Sequence, residues 1–252
     1  MKVGYAVLYA DGTLVISKNH TILPQKIKID YDKFEDTCVP WKRESEKIKK
    51  VRILDQVKTT CMHAWFGNCM NLLTLIDFEN LDVSNCIDFS YMFYNCNSLQ
   101  NLNELQNWNV SSGTNLSSMF YNCKSLQYLN GLRTWNVSNG TNFSYMFSHC
   151  ESLQNIDALK TWNVSNGTDF SFMFAYCKSL QDLNGLEKWN ISNGTNFAYM
   201  FSCCTLLKEI YLSNTLDILK KEIFNNCNLT LKIHWGKHIY TYEDLLEYET
   251  IS

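Results

Sequence analysis

Apolar residues recur along the middle of this chain with a fixed period. Cys69, Cys96, Cys123, Cys150, Cys177 and Cys204 stand at a constant interval of twenty-seven positions, and other columns keep the same register. Phe66, Phe93, Phe120, Phe147, Phe174 and Phe201 stand three positions before each Cys, and Leu72, Leu99, Leu126, Leu153, Leu180 and Leu207 three after. Trp108, Trp135, Trp162 and Trp189 form a further column with Leu81 as its atypical first member, and Val83, Val110, Val137, Val164 and Ile191 follow two positions on. A strict period of this length marks a repeat architecture, in which one unit cannot bury its apolar face alone and gains a core by stacking.

Within one unit the spacing changes character. Phe143, Met146, Phe147 and Cys150 fall at i, i+3, i+4 and i+7, one face of an α-helix of about two turns, with that face pointing inward. Thr141 or Asn142 supplies an N-cap, and Asn139-Gly140 the tight turn that feeds it. After the Cys, Leu153, Ile156 and Leu159 recur every third residue, which predicts a short strand and a bend. Each unit therefore reads as helix, strand and turn, with the strands of successive units paired in parallel. Strands stack about 4.8 Å apart and packed helices about 8–10 Å, so the stack is expected to curve with its sheet on the concave side.

The ends depart from the period and predict caps. Residues 1–60 read as an N-terminal β-rich cap, with a hairpin from Tyr5 to Ser17 turning at Ala10-Asp11-Gly12-Thr13 and a further strand from Lys26 to Asp32. Val51 to Leu54 is expected to open the stack, leading into a unit in which Trp65 stands in the Met column. Residues 61–212 carry the repeats. Residues 213–252 read as a C-terminal α/β cap, with a helix from Asp217 to Cys227, a strand from Leu229 to Trp235 and a final helix from Tyr242 to Glu249. Such caps cover the open edges of terminal coils.

Composition and charge narrow the function classes. With 46% hydrophobic and 14% aromatic residues, the chain can bury a sizeable core without a cofactor. Residues 1–60 hold 12 Lys/Arg against 8 Asp/Glu, whereas residues 61–204 hold 5 against 10. The repeats thus lack a basic stripe, and nucleic acid is not an expected partner. No apolar run approaches the ~20 residues that span a bilayer. Met1 to Ala10 lacks the charged and apolar regions of a secretory signal, so the protein is expected either to stay inside the cell or to have a leader outside this sequence.

Candidate chemistry adds little. Of 11 cysteines, six form the periodic inward column, where a free thiol behaves as a small hydrophobe; no Cys-x-x-Cys pair suggests zinc, and Cys203 is expected to face solvent. His234 and His238 lie four apart on a strand-and-turn stretch, where that spacing does not share a helical face for a metal. No cofactor, metal or catalytic residue is expected, since no phosphate loop, nucleophile elbow or distinct carboxylate pair stands out. The Asn-x-Ser/Thr matches at Asn136, Asn139, Asn163 and Asn166 follow from turn chemistry, and the basic run Lys42 to Arg52 reads as a solvated face of the cap, with a docking patch as the alternative.

Two surfaces remain as binding candidates. Residues five and seven positions after each Cys flank an inward Leu or Ile, so strand alternation points them outward. They are the columns that vary: Asn101, Tyr128, Asn155, Asp182 and Glu209 in one, Asn103, Asn130, Asp157, Asn184 and Tyr211 in the other. A second stripe, Tyr91, Tyr145, Phe172 and Tyr199, is expected on the outer side of the helices, either as a contact surface or as aromatic stacking between coils.

The recurring string from Trp135 through Cys150 to Leu153, with its Met-Phe-x-x-Cys-x-x-Leu core, resembles the BspA-like leucine-rich-repeat surface proteins. The segment Tyr5 to Leu14 is similar to one that often precedes those repeats. The resemblance covers residues ~60–212 and implies an α/β, leucine-rich-repeat-like solenoid used for recognition or adhesion, at a cell surface or secreted. The leading expectation is a non-enzymatic module that binds another protein through the concave sheet. Two alternatives stand beside it: a phage- or pathogen-encoded intracellular inhibitor that occludes a host complex, favoured by the missing signal and placing the protein in the cytoplasm, and a glycan-binding solenoid using Tyr128, Tyr211 and the Asn columns.

Overall fold

The hydrophobic alternation at the start of the chain builds a sheet that runs directly into the repeats. The computed structural model describes residues 2–19, 27–35, 39–212, 221–235 and 237–248. Strands β1 (Lys2–Tyr9) and β2 (Thr13–Ser17) form the expected hairpin, with Gly12 in the turn at φ +88°, a conformation that favours glycine. Strand β3 (Ile27–Glu35) pairs antiparallel with β1; Lys26, where this strand was expected to begin, lies outside the described residues. Strand β4 (Lys50–Ile53) adds in parallel to β2, and β6 (Thr74–Ile76) in parallel to β4. A two-residue pair, β5 (Val57–Lys58) and β7 (Leu81–Asp82), lies alongside. At the far end β8 (Glu209–Leu212) pairs in parallel with β9 (Lys232–Trp235), which pairs antiparallel with β10 (His238–Thr241), and helix α1 (Tyr242–Tyr248) follows.

Between these sheets the expected helices are absent. The segment from Phe89 to Cys96 is instead a run of β-turns laid against the same run of the next coil. The N–H groups of Phe89, Tyr91, Phe93 and Asn95 donate to the carbonyls of Asn115, Ser117, Met119 and Tyr121 at 2.8–3.0 Å. Those of Met92, Tyr94 and Cys96 donate three residues back, to Phe89, Tyr91 and Phe93, and that of Ser90 donates to Asp88 Oδ1 at 2.9 Å. Every donor in the segment is thereby satisfied, half of them between coils. A helix would have used those donors internally and held neighbouring coils helix-widths apart. Both backbones place positions i, i+3, i+4 and i+7 inward, and for that reason the apolar pattern could not tell them apart.

The turns carry a conformational cost. Tyr91 and Asn95 take the third position of their turns at φ 58° and 60°, and the equivalent residues of the other coils do the same, from Ala64 and Asn68 to Tyr199 and Cys203. None of the twelve is a glycine. Left-handed backbone costs a non-glycine residue roughly 1–2 kcal/mol, so each coil bears about 2–4 kcal/mol. Burying Phe, Met, Phe and Cys side chains in each coil contributes about 1.5–3 kcal/mol for each large one, which outweighs the strain. Asn142, expected as a helix cap, closes a local turn by accepting from Ser144 N–H at 3.0 Å. Gly140 makes the expected turn through its N–H to Val137 O; a Cβ there would lie 2.5 Å from Phe143 Cζ, so the ring beneath it demands the small residue.

The expected strand in every unit is also reduced. Parallel bridges link Cys61, Asp88, Asn115, Asn142, Asp169 and Asn196 in succession, each one repeat period further on. Beyond the Cys, however, the middle coils keep few inter-coil bonds, such as Gln127 N–H to Gln100 O and Gln154 N–H to Gln127 O at 3.3–3.4 Å. They then enter a short 3₁₀ turn, as at Asn103–Leu105, Asn130–Leu132 and Asp157–Thr161. Among the described residues, regular strands survive on this side only where β6 and β8 join the terminal sheets. With no helices opposite a sheet, the spacing difference that predicted a concave sheet side does not arise.

The main hydrophobic core of the described residues runs from Ala6 to Tyr242, with a small separate cluster of Val7, Tyr9 and Val15 on the other face of the first sheet. Its axis is a column of stacked rings: Trp41, Phe66, Phe93, Phe120, Phe147, Phe174, Phe201 and Phe224, with successive centroids 5.4–6.3 Å apart. Beside it each buried Trp of the periodic column donates its indole N–H to a carbonyl 30 residues back, as Trp135 does to Leu105 O at 2.9 Å. From Cys96 to Cys204 the Cys column does the same, Cys150 Sγ donating to Phe120 O at 3.2 Å. In the C-terminal cap, the expected helix from Asp217 lies partly outside the described residues, and Lys221–Phe224 is a 3₁₀ turn.

Candidate interaction faces

The ten residues of the two varying columns are all exposed or half-exposed, and Leu102, Leu129, Ile156, Leu183 and Ile210 between them are buried. The side chains of the first column have local work. Asn101 Oδ1 accepts from Asn103 N–H at 3.3 Å, Asn155 from Asp157 at 3.4 Å and Asp182 from Asn184 at 3.1 Å, the Asx-turn geometry that leads the chain into its 3₁₀ turn. Asn and Asp are therefore favoured there by the backbone; Tyr128, 43% exposed, departs from that rule, and Glu209, which opens a strand instead of a 3₁₀ turn, is outside it. Asn103, Asn130, Asp157 and Asn184 are exposed at or beside the start of those turns.

At the C-terminal end the two columns converge on a cluster. Glu209 Oε2 accepts from the Tyr211 hydroxyl and contacts His234 Nε2, both at 3.1 Å, and the Tyr211 and His234 rings stack at 4.2 Å. The hydrogen bonds from Tyr211 and His234 hold the Glu209 carboxyl below its usual pKa, and the same carboxylate raises that of the Tyr211 phenol. His234 was not among the expected binding residues; its place opposite Tyr211 is set by the parallel β8–β9 register, which sequence spacing does not reveal. His238 lies on β10, opposite Trp235, away from this contact.

The second stripe belongs to a wider aromatic ribbon, carried by turns and not by helices. Tyr145 stacks on Phe172 at 4.6 Å and Phe172 on Tyr199 at 4.9 Å. Tyr91 reaches this row through Tyr94 and Tyr121, which stack on each other at 4.9 Å. His149 and Tyr176 add a parallel pair at 4.3 Å. Tyr94, Tyr121, His149 and Tyr176 stand three or four positions after members of the stripe's own column, a spacing that a helix and a turn stack both keep on one side, so they were within reach of the same periodicity. The visible signal was compensation between positions: Ser118 interrupts the first column in the coil that supplies Tyr121 to the second.

Two surface recesses accompany these faces. One, of about 480 Å³, is lined by Leu75, Ile76, Asp77, Glu79, Glu104, Gln106 and Asn107, with Arg52 Nε bonded to Asp77 at 2.7 Å. The other, of about 280 Å³, lies at the N-terminal end of the ribbon. Burial pushes the thiols of the Cys column up, to about 12 for Cys69 and Cys123, which keeps them protonated. Among the described residues no group of three His, Cys, Asp or Glu is placed to hold a metal ion, and no helix is long and apolar enough to cross a membrane.

These features define a stacked-repeat protein with parallel inter-coil pairing and varied exposed columns over a repeated core. The chain belongs to the family described as "Mycoplasma protein of unknown function, DUF285", whose model matches residues 40–155 and 99–214. No curated protein matches the sequence. Among solved structures, the chain is similar to a leucine-rich repeat protein from Eubacterium ventriosum at 14% identity, over 92% of this chain and 82% of that one, with a TM-score of 0.25. It is also similar to a leucine-rich repeat protein from Bacteroides ovatus at 13% identity, over 94% and 99%, with a TM-score of 0.29. A leucine-rich cell surface protein from Faecalibacterium prausnitzii shares 13% identity over 93% and 94%, with a TM-score of 0.28.

Proposed function

We propose that this chain is a non-enzymatic module that binds another protein through the face carrying Asn101, Asn103, Tyr128, Asn130, Asn155, Asp157, Asp182, Asn184, Glu209 and Tyr211. The observation that carries the reading is the separation between a buried set that repeats from coil to coil and an exposed set that changes. A stack needs the first for stability; nothing in stacking asks for the second to differ. Asp157, Asp182 and Glu209 bias the C-terminal half of this face toward a partner with basic and hydrogen-bonding groups. Recognition at a cell surface is the form of this activity that the BspA-like resemblance implies.

The test is capture of partners by the full chain and by an Asp157→Lys/Asp182→Lys variant with the same thermal melt. A partner held by the first and lost by the second supports the reading. Identical partners on both would place recognition elsewhere on the molecule.

A further inference from the structure

The aromatic ribbon ends differently from the core column it runs beside. At the N-terminal end of the core column, Trp41 supplies the ring that stacks on Phe66, at 6.3 Å and 17°. Among the described residues no ring stacks face to face on the outer columns at this end, where His63 meets Tyr91 only edge-on. One coil before Tyr91 and Tyr94 the equivalent positions are Ala64 and Gly67. Tyr94 therefore stacks on Tyr121 with one face, and beyond its other face lies the recess of about 280 Å³, lined by Lys42, His63, Ala64, Gly67, Asn68, Tyr91 and Tyr94.

Backbone geometry does not impose this vacancy. Gly67 does not have the positive φ that favours glycine, and the nearest atom to a Cβ built there is Tyr91 O at 3.3 Å. The same position holds Tyr94, Tyr121, Ser148, Ala175 and Ser202 in later coils. The walls of the recess are rings set at angles: Tyr91 lies 5.5 Å from Tyr94 at 53°, and His63 lies 5.7 Å from Tyr91 at 70°. His63 is positioned by Ser90 Oγ at 2.7 Å, with Asp88 Oδ2 at 3.9 Å. Lys42, exposed on the cap, brings a cation to the lining.

We propose that this recess is a binding site for an aromatic side chain of a partner protein, with an acidic residue next to it in the partner's sequence. The ring takes the place in the stack that Gly67 leaves open, offset-stacked on Tyr94, and the neighbouring carboxylate meets Lys42. A single stacked ring and a solvent-screened ion pair hold a free small molecule weakly. In a protein interface the same ring is an anchor, since buried aromatic residues in pockets dominate such contacts. The inference rests on the reading of the chain as a protein-binding module, and it adds a second contact point on a different face.

The experiment uses the full ¹⁵N-labelled chain and three blocked dipeptides: N-acetyl-Trp-Glu-amide, N-acetyl-Leu-Glu-amide and N-acetyl-Trp-Lys-amide. The Trp-Glu probe is expected to shift the amides of Gly67, Asn68, Tyr91 and Tyr94 saturably, with the Leu-Glu and Trp-Lys probes at least about fivefold weaker. Gly67→Tyr, which fills the vacancy with the residue found one coil later, should weaken Trp-Glu binding about tenfold or more. Should that variant fail to fold, Tyr94→Leu keeps apolar bulk while removing the ring face, and the same loss is expected. Equal binding of Trp-Glu and Leu-Glu, undiminished binding to a folded filled-slot variant or to Tyr94→Leu, or shifts confined to other regions would each overturn the site. The Asp157→Lys/Asp182→Lys variant should bind the probe normally, so failure at the recess and failure of the polar face are read separately.

Discussion

The core ring column and the outer aromatic ribbon are built on the same coils and the same hydrogen-bonded ladder, yet they are different kinds of structure. The core column is continuous and closed: Trp41 stacks on its first Phe, and Tyr242 meets Phe224 edge-on at its last. Phe66, Phe93, Phe120, Phe147 and Phe174 within it are fully buried. The ribbon is broken and shifts between columns at Ser118, and although His63 meets Tyr91 edge-on, it leaves a recess beside Tyr94. Register alone is enough to stack rings, because the ladder fixes neighbouring coils at hydrogen-bond distance. Closure needs particular residues at the ends, and their absence on one face leaves a surface that can receive something else.

The sharpest way to break this comparison is to truncate one ring from each column. Phe147→Ala should cost about 3–5 kcal/mol, read as a lowered midpoint in denaturant melts, because it opens a cavity between two stacked neighbours. Tyr145→Asn in the ribbon should change stability by less than about 1 kcal/mol. Its lost stacking on Phe172, worth about 0.5–1.5 kcal/mol, is offset by the tolerance of Asn for the left-handed backbone that Tyr145 occupies at φ 57°. Equal losses in the two variants would mean that the ribbon carries the fold as the core does.

A smaller effect concerns His149, which stands where earlier coils have Asn68, Asn95 and Asn122. Those amides form a ladder of their own, Asn95 Nδ2 to Asn68 Oδ1 and Asn122 Nδ2 to Asn95 Oδ1, both at 2.8 Å. Burial holds the His149 imidazole below its ordinary pKa, with Glu151 opposing and Lys124 and Lys178 reinforcing the shift. Its pKa is depressed in the folded state, so the contribution is present above the ordinary value of 6.5 and is lost as the pH falls below it. His149→Asn should flatten the stability profile below that pH and leave it unchanged above. Urea midpoints measured from pH 8 to 5 check the sign, and an unaltered acid slope would remove His149 from the account.

Much of the core was legible from the sequence because burial depends on periodicity. Phe143, Met146, Phe147, Cys150 and Leu153 are all fully buried, whatever backbone carries them. The backbone itself was not legible, since a turn stack and a helix place those positions inward alike. Choosing between them depends on donors in one coil finding acceptors in the next. The varying columns lie at the surface, as their alternation with buried Leu and Ile implied, but the bond from Asn184 N–H to Asp182 Oδ1 was hidden, because a local Asx turn leaves no mark distinct from ordinary polarity.

The sequence by itself determined that identical apolar columns must meet once in every repeat period, because no unit could bury its Phe, Cys and Leu side chains alone. Only the tertiary structure decided how closely the coils approach, and therefore that strained turns replace helices and that rings outside the core stack as well. It also decided which of those stacks is closed. The vacancy beside Tyr94 is left by Gly67, whose place in the repeat register is visible in the sequence, whereas the closure of the core column by Trp41 is a long-range contact that no local spacing encodes.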